Sequence, residues 1–425
     1  MTRARLLVSL VLSLFACSVY ADDPLPRARP ESVGLSSEQL EQIGKVLRTD
    51  IERGRMPGAV VAIARKGRLA YYESFGYLDR QAGTPMTKDA IFAIASMTKP
   101  MVGVGVMQLV EDVRVQMSDP ISKWFPALGK LPVGVLKTDT TGETIMETVP
   151  AKRQITIQDL LRHTSGLTYG GRGSTPVHKM FPDSSGAAAA QLTGQEFLDR
   201  LSKVNLLYQP GSAWDYGFSI DVLGLIIEAE TGQTLGTYLQ ERIWKPLGMA
   251  DTGFVVPAAK AKRFARALPN DPDTGKPQPF ADRTKPDKFE CGGGCAVSTA
   301  ADYVRFGQML LNRGRLGDAH ILASRTVDYM TANHLGPGVQ NFIEAADPTK
   351  AGYDFGLTMA VRPSTGGPTT MGAPGAYTWS GASGTDFWVD PKEQLVVVVM
   401  AAAPGPIRWH YRRLMNALVY QSIID

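Results

Sequence analysis

The hydrophobic residues of this chain follow two different spacings, which divide it into three parts. Apolar positions three and four residues apart predict a first amphipathic helix, with Ser37 as its cap. Residues 58–64 and 69–77 are then rich in Val, Ile and aromatic side chains, and a Lys-Gly turn separates the two segments. This combination predicts a β-hairpin.

The middle part of the chain changes to helical spacing. An almost wholly apolar segment over residues 101–110 predicts a helix that is buried in a core. From about residue 118 to residue 257, apolar residues recur at helical spacing between loops rich in Pro, Gly, Ser and Thr. The helices predicted there cover residues 157–162, 194–203, 220–231 and 235–245, and Gly232 is expected to end the third of them.

Strands are predicted again in the last third of the chain. A helix over residues 301–312 comes first, and strands follow over residues 355–361, 378–390 and 394–402. The last of these contains a continuous apolar run of mostly β-branched residues, as expected of a strand buried on both faces. A closing helix is predicted over residues 407–423.

This order of strands, helices and strands favours an α+β fold. The simplest arrangement is one central antiparallel sheet built from both ends of the chain, flanked by helices, with a mainly helical lobe inserted. We therefore expect a sheet lobe from residues 22–115 and 290–425, and a helical lobe from residues 116–289. A chain of 425 residues is long enough to bury the core of two such lobes.

The first residues of the chain predict an export signal over residues 1–21. Two arginines precede an apolar run over residues 6–20, and the residues ending at Ala21 fit a small-residue cleavage site. A lipid attached to Cys17 is an alternative that bulky Phe15 fits poorly, and an uncleaved anchor is a third. We expect a periplasmic or secreted protein without stable membrane insertion after cleavage.

Cleavage after Ala21 leaves Cys291 and Cys295 as the remaining cysteines. Three glycines lie between them, so a disulfide can close this short loop in an oxidising compartment. Two free thiols or half of a zinc site are the alternatives. Zinc is disfavoured because no second Cys or His pair with ligand spacing is found in the sequence.

The net charge of the chain gives little information about its function. A formal net charge of +4 is small for 425 residues, and no basic run stands out, so nucleic-acid binding is not expected. No motif for a metal or another cofactor is found, and a small-molecule substrate is the expected partner. The sequence gives no indication of the oligomeric state.

The candidate chemistry begins with Ser96 and Lys99, which lie three residues apart at the start of the apolar helix. Residues at this spacing share a helical face, so the hydroxyl and the amine can meet. A serine is a weak nucleophile until an adjacent base takes its proton, and a lysine withdrawn from water can be that base. Taken alone, the pair is equally compatible with a polar cap followed by a surface lysine.

Two further segments give the pair a context. Asp215-Tyr216-Gly217 precedes a predicted helix, and Trp379-Ser380-Gly381 begins a predicted strand. The three elements in this order resemble the serine β-lactamase and penicillin-binding-protein superfamily, of which Ser-x-x-Lys is a signature. Residues 160–167, 297–302 and 386–391 are also similar to recurrent segments of that superfamily. Within it, the chain looks most like the class C β-lactamase-related esterases, or family VIII carboxylesterases.

The resemblance implies a β-lactamase/transpeptidase-like fold and a serine hydrolase that works through an acyl-enzyme. It implies that Ser96 is the nucleophile and that Lys99 and Tyr216 share the proton. The N–H groups of Ser96 and Ala382 would form the oxyanion hole. The resemblance further implies that the third motif, Trp379, Ser380 and Gly381, binds the substrate. It implies the same role for Phe218, which lies two residues after Tyr216.

Two departures from the superfamily pattern bear on the substrate. Phe218 stands where an Asn is usual, and Trp379 stands where a Lys is usual. Both changes make the expected cleft more apolar, which favours carboxylic esters over lactams and D-Ala-D-Ala peptides. A β-lactamase, a D-Ala-D-Ala carboxypeptidase or other amide hydrolase, and an acyltransferase are the alternatives, followed by a non-catalytic sensor module. We expect His163 to be structural, since the chain has no Gly-x-Ser-x-Gly elbow.

Overall fold

The computed structural model describes residues 23–278, 280–364 and 366–424. The predicted export signal over residues 1–21 and the alternative lipid site at Cys17 both lie outside these residues. Among the helices within them, none combines the length and the apolar character that a membrane crossing requires.

The structure has the predicted order of a strand-rich start, a mainly helical middle and a strand-rich end, with further short elements. The strands are β1 Gly58–Arg65, β2 Arg68–Asp79, β3 Thr84–Pro85, β4 Phe92–Ala93, β5 Val133–Thr138, β6 Thr144–Val149, β7 Ala213–Trp214, β8 Val297–Ser298, β9 Arg315–Leu316, β10 Ala319–His320, β11 Gln340–Asn341, β12 Asp354–Phe355, β13 Ala360–Val361, β14 Tyr377–Ser380, β15 Asp386–Asp390 and β16 Leu395–Ala401. The α-helices are α1 Ser37–Glu52, α2 Thr98–Glu111, α3 Ile157–Leu161, α4 Ser185–Gln191, α5 Gly194–Leu201, α6 Ser219–Thr231, α7 Leu235–Leu239, α8 Ala300–Leu311, α9 Ser324–Met330, α10 Ile343–Ala346 and α11 Ile407–Tyr420.

The main sheet combines strands from both ends of the chain. In the described part of the chain it has eight strands in the order β12-β13-β14-β15-β16-β1-β2-β3, and each neighbouring pair is antiparallel. The register of β1 against β16 runs from Ala59 opposite Ala401 to Arg65 opposite Leu395. Every residue of β16 is buried, as its apolar run predicts. The predicted antiparallel sheet is confirmed.

Helices cover both faces of this sheet. On one face, α1 and α11 pack against alternate residues of β1 and β16. The helix α1 forms because Leu40, Ile43 and Leu47 recur at helical spacing and are buried in this layer. Its cap is Ser36 and not Ser37, since the Ser36 hydroxyl accepts the N–H of Gln39 at 3.2 Å.

Two predicted single strands are wrong in the same way. Residues 355–361 and 378–390 each form two short strands joined by a tight turn. Thr358 has a φ of 66° and Gly384 a φ of 108°, so the backbone reverses at both places. Apolar spacing does not register such a turn, because the side chains on either side of it remain buried.

The inserted part of the chain is less purely helical than predicted. The hairpin of β5 and β6 interrupts it, and helix α7 continues as a π-helical turn over Gln240–Trp244. Gly232 ends α6 in the left-handed conformation with a φ of 71°, as predicted. One continuous hydrophobic core joins the second face of the sheet to α2 and α6. The division into lobes of residues 22–115 with 290–425 and of residues 116–289 stays a prediction.

Candidate active site

Ser96 lies in a short 3-10 turn that leads directly into α2. The preceding Ala95 has a φ of 43°, in the left-handed region that alanine rarely adopts. Two hydrogen bonds hold the turn: the Thr98 hydroxyl donates to the Ala95 carbonyl, and the Tyr303 hydroxyl donates to the Met97 carbonyl, each at 2.7 Å. Ser96 is therefore presented at the N-terminal end of a helix, where the helix dipole favours negative charge.

Lys99 is fully buried beneath Ser96. Its amine lies 3.2 Å from the Ser96 hydroxyl, within hydrogen-bond distance, and it donates to the Tyr169 hydroxyl at 3.4 Å and to the Gly293 carbonyl. The ring of Tyr216 adds a cation–π contact, with its centroid 4.4 Å from the amine. The structure therefore brings the predicted nucleophile and its predicted base into contact.

The hydroxyl of Tyr216 accepts a hydrogen bond from the indole N–H of Trp379 at 3.1 Å. The hydrogen bonds of the described residues do not connect this hydroxyl to Ser96 or Lys99. A Cβ at Gly217 would lie 2.1 Å from the Leu167 carbonyl, so only glycine lets this segment approach so closely. Tyr216 thus contacts Lys99 through the face of its ring.

The turn between β14 and β15 is fixed against the backbone before Ser96. A Cβ at Gly381 would lie 2.3 Å from the Ile94 carbonyl oxygen, so this position also requires glycine. The Thr385 hydroxyl donates to the same carbonyl at 3.2 Å, and the Ser383 hydroxyl donates to the carbonyl of Ala93. These contacts hold the third motif at a constant position relative to the nucleophile.

The backbone N–H groups of Ser96 and Ala382 are both available to a ligand. Neither donates a hydrogen bond to another residue in the part of the chain that the structure describes. Both residues line one cleft, which has a volume of about 430 Å³. The assignment of these two N–H groups to an oxyanion hole stays a prediction.

The wall of this cleft is mostly apolar, and its cations are paired. Phe280, Tyr169 and Tyr216 supply aromatic surface. Arg172 lies 3.5 Å from Asp215, and Arg283 forms an ion pair with Asp287. The cleft therefore suits an uncharged apolar group close to Ser96.

Phe218 does not line the cleft, which differs from the expectation. Its side chain is fully buried, and its ring packs 4.6 Å from that of Tyr169 and 5.1 Å from that of Phe197. Trp379 is also almost fully buried, behind Tyr216. Ser380 donates its hydroxyl to Asp386 at 2.9 Å, within the sheet. Phe218 and Trp379 therefore affect the cleft indirectly, because they pack against Tyr169 and Tyr216, which line it.

His163 is enclosed by aromatic rings. Its ring lies 4.9 Å from that of Tyr216 and 5.7 Å from that of Trp214. Within the described residues, neither ring nitrogen has a hydrogen-bond partner. Burial first, and then the neighbouring Lys99 and Arg172, hold the pKa of His163 well below its usual value. His163 is therefore neutral, and it takes no part in the hydrogen bonds around Ser96.

Sequence reasoning missed three residues beneath Lys99. The hydroxyl of Tyr169 contacts the Lys99 amine at 3.4 Å. Deeper in the core, the Tyr169 hydroxyl is hydrogen-bonded to that of Ser185, and Ser185 donates to Asp221. One signal was available: Asp221 is a carboxylate in the mostly apolar first half of α6, and an acidic residue buried there needs a partner.

The structure places the sulfur atoms of Cys291 and Cys295 at bonding distance, with their Cα atoms 5.3 Å apart. The loop between them contains Gly293, whose carbonyl accepts from Lys99. The two cysteines are fully buried under the candidate site. The disulfide itself stays a prediction.

Replacing both Cys291 and Cys295 by alanine should lower the free energy of unfolding by about 2 kcal/mol, because closing a loop this short removes little entropy from the unfolded chain. Urea denaturation of the variant and the wild type measures the difference. Thiol titration of the denatured wild type before and after reduction is the control. Two thiols found before reduction would show that the bond is absent.

The chain is similar to known proteins over almost its whole length. A model of the family described as Beta-lactamase matches residues 43–420. Esterase EstB of Burkholderia gladioli is 30% identical over 375 residues, which are 81% of this chain and 86% of that protein. Lovastatin esterase of Penicillium rubens is 28% identical over 387 residues, which are 84% and 91% of the two chains. The solved structure of EstCE1, described as a hydrolase with promiscuous acyltransferase activity, has a TM-score of 0.73 and 25% identity, and the match covers 90% of this chain and 99% of that one.

Proposed function

The chain belongs to the beta-lactamase family and is a serine hydrolase, and from this premise we propose that it is an exported carboxylesterase that forms an acyl-enzyme on Ser96. One observation carries the proposal. The Ser96 hydroxyl lies 3.2 Å from the buried amine of Lys99, within hydrogen-bond distance, at the base of an apolar cleft. Export rests on residues 1–21 and places the enzyme in the periplasm or outside the cell.

Acylation begins when the Ser96 oxygen attacks the carbonyl carbon of the ester. The proton of the hydroxyl passes to the amine of Lys99, its hydrogen-bond partner. The negative charge that develops on the carbonyl oxygen is held by the N–H groups of Ser96 and Ala382. Lys99 and Tyr216 then return the proton to the departing alcohol, which leaves an ester of Ser96.

Deacylation repeats these steps with water as the attacking group. The water gives its proton to the same pair of side chains, and the acid leaves as the Ser96 oxygen regains a proton. Tyr216 can serve this step from the face of the cleft, because Trp379 holds its hydroxyl and Lys99 lies under its ring. The shared use of Lys99 and Tyr216 is part of the proposal.

The choice of an ester over a lactam rests on the charges around the cleft. A lactam antibiotic presents a carboxylate, and Trp379 occupies the position where a lysine would usually receive it. Among the described residues, the arginines of the cleft wall, Arg172 and Arg283, already face aspartates. An anionic substrate would have to displace one of these pairs, whereas an uncharged ester would not.

Wild-type enzyme should hydrolyse p-nitrophenyl acetate and butyrate with a kcat/KM about 10²-fold above that for the lactam nitrocefin, because an unpaired carboxylate costs binding energy. Mass spectrometry of the quenched reaction should find the acyl group on the peptide that contains Ser96. Equal rates on nitrocefin would favour a β-lactamase.

Acyl transfer is a second candidate, since EstCE1 is described as having promiscuous acyltransferase activity. The open cleft above Ser96 leaves room for an alcohol in place of water. Adding 1-butanol to the butyrate assay separates the two reactions by their products. Butyl butyrate in excess of butyric acid would make transfer the main activity.

A further inference from the structure

A closed ring of hydrogen bonds lies beneath the candidate nucleophile. The Lys99 amine donates to the Tyr169 hydroxyl at 3.4 Å, and this hydroxyl lies 2.7 Å from that of Ser185. Ser185 donates to Oδ2 of Asp221 at 2.8 Å. Oδ1 of Asp221 accepts the N–H of Gly293 at 3.0 Å, and the Gly293 carbonyl accepts from Lys99. The catalytic steps proposed above do not use Tyr169, Ser185 or Asp221.

The ionised carboxylate sets the direction of these bonds. A carboxylate only accepts, so the single hydrogen of the Ser185 hydroxyl is directed to Asp221. Ser185 must then accept from the Tyr169 hydroxyl, whose single hydrogen is used in that bond. The Tyr169 oxygen is left with lone pairs alone, and it can only accept from Lys99.

This direction determines what Lys99 presents to Ser96. The Tyr169 oxygen and the Gly293 carbonyl are both acceptors, so they take two N–H groups of the amine. To act as the base, the amine of Lys99 must carry two N–H groups and one lone pair. The lone pair therefore faces the remaining neighbour, the Ser96 hydroxyl at 3.2 Å, where a general base is needed.

We propose that Asp221 is a positioning residue for the reaction: through Ser185 and Tyr169, its carboxylate keeps the lone pair of Lys99 directed at Ser96. The inference rests on the proposed function of Ser96 and Lys99. When Asp221 carries a proton or is an amide, it donates to Ser185, and Ser185 and Tyr169 reverse in turn. The Tyr169 hydroxyl then donates to the Lys99 lone pair, which can no longer accept from Ser96.

The charge state of Asp221 gives the mechanism a pH dependence. Burial raises the pKa of Asp221 to about 6, although Lys99, Ser185 and the Gly293 N–H act to lower it. The carboxylate is therefore ionised above about pH 6 and protonated below it. The acylation rate should accordingly fall as the pH drops below about 6, and this fall is the acid limb of the pH–rate profile. Burial also raises the pKa of Tyr169 well above its usual value, so its hydroxyl keeps its proton throughout.

Other titratable groups also face this network. Lys99 faces Asp221 from α2, and Tyr169 faces it from the loop before α4. Arg172 and Tyr216 act on Tyr169 from the cleft side. Burial and the neighbouring Lys99 and Arg172 lower the pKa of His163 well below its usual value, which favours the uncharged ring.

The Asp221→Asn variant tests the inference at nearly constant shape. If the amide oxygen keeps the Gly293 N–H, its NH₂ group must donate to Ser185, and the ring of bonds reverses. We expect the acylation rate with p-nitrophenyl butyrate to fall about 10²-fold at pH 7.5, with KM within about threefold of the wild type, because the base is misdirected while the cleft is unchanged. The acid limb near pH 6 should also disappear.

Asp302→Asn is the matched control. Asp302 is likewise a buried carboxylate, and burial raises its pKa to about 6, but it accepts hydrogen bonds from Thr252 and Asp251. This variant should keep the wild-type acylation rate and acid limb. The inference is overturned by an Asp221→Asn enzyme that keeps both, or by a loss of the limb in Asp302→Asn.

A further variant covers the case in which Asp221→Asn does not fold. Ser185→Ala cuts the same chain of bonds without changing a charge, and Tyr169 is then free to donate to Lys99. It should also slow acylation and remove the acid limb, and wild-type values for both would overturn the inference. Failure of the proposed function is seen separately, as turnover that survives the loss of Ser96.

Discussion

Replacing Ser96 by alanine should lower kcat for p-nitrophenyl butyrate by about 10⁴-fold or more, because an enzyme without its nucleophile retains only what the oxyanion site and binding supply. Ser96 is partly exposed at the base of the cleft, and the hydroxyl hydrogen-bonds Lys99 at 3.2 Å. Alanine leaves that amine with no group to deprotonate. The measurement is steady-state hydrolysis, together with mass spectrometry of the quenched enzyme, which should find no acyl adduct.

A serine outside the site provides the control for this variant. Ser36 caps α1 by accepting the Gln39 N–H at 3.2 Å, and it does not line the cleft. Ser36→Ala should lower the free energy of unfolding by about 1 kcal/mol and leave kcat at the wild-type value. Ester turnover in Ser96→Ala at a tenth of the wild-type rate or above would contradict the assignment of the nucleophile.

The parts of the fold that the sequence predicts well are those determined by continuous patterns. The unbroken apolar run over 395–400 places β16 in the centre of the sheet, where its neighbours are β1 and β15. The hairpins at Thr358 and Gly384 are missed because a turn of a few residues leaves the apolar character of the segment unchanged. The length and spacing of apolar segments therefore predict the layers of the fold. The number of strands in a layer depends on local backbone turns, which apolar spacing does not reveal.

The candidate site also has one part that the sequence predicts and one part that it does not. Ser96 and Lys99 are three residues apart on one turn of chain, so their contact is a local consequence of the helix. Tyr169 lies 16 residues from Ser185, which is 36 residues from Asp221, and only the tertiary fold brings them together. Residues that act through such a chain have no spacing rule, because each bond depends on a different pair of elements.

Phe218 shows why a motif position does not fix a role. The superfamily pattern places an amide there, facing the substrate, and the sequence therefore predicts an apolar contact with the substrate. The aromatic ring instead packs in the core against Tyr169, at 4.6 Å. An amide needs polar partners, whereas a benzyl group gains most by leaving water. The substitution thus supports Tyr169 from below, and Tyr169 in turn holds Lys99.

Replacing Lys99 by methionine should lower the acylation rate about 10³-fold, within the range that general base catalysis contributes. Methionine keeps the length of the side chain but has no amine, so the Ser96 hydroxyl loses its partner at 3.2 Å. Because Lys99 is fully buried beneath the cleft, the substrate does not touch it and KM should stay within about threefold. Stopped-flow measurement of the p-nitrophenol burst separates acylation from the later steps.

The Lys99→Arg variant distinguishes two possible roles of Lys99, that of a base and that of a positive charge. Arginine places a positive charge near the Tyr216 ring and stays protonated at every accessible pH, so it cannot accept the Ser96 proton. The arginine enzyme should therefore be as slow as the methionine enzyme if Lys99 is the base. Recovery of the burst in Lys99→Arg would instead make the charge the essential feature, with Tyr216 as the group that accepts the proton. A methionine variant within tenfold of the wild type would exclude both roles, because neither a base nor a charge would then be needed at this position.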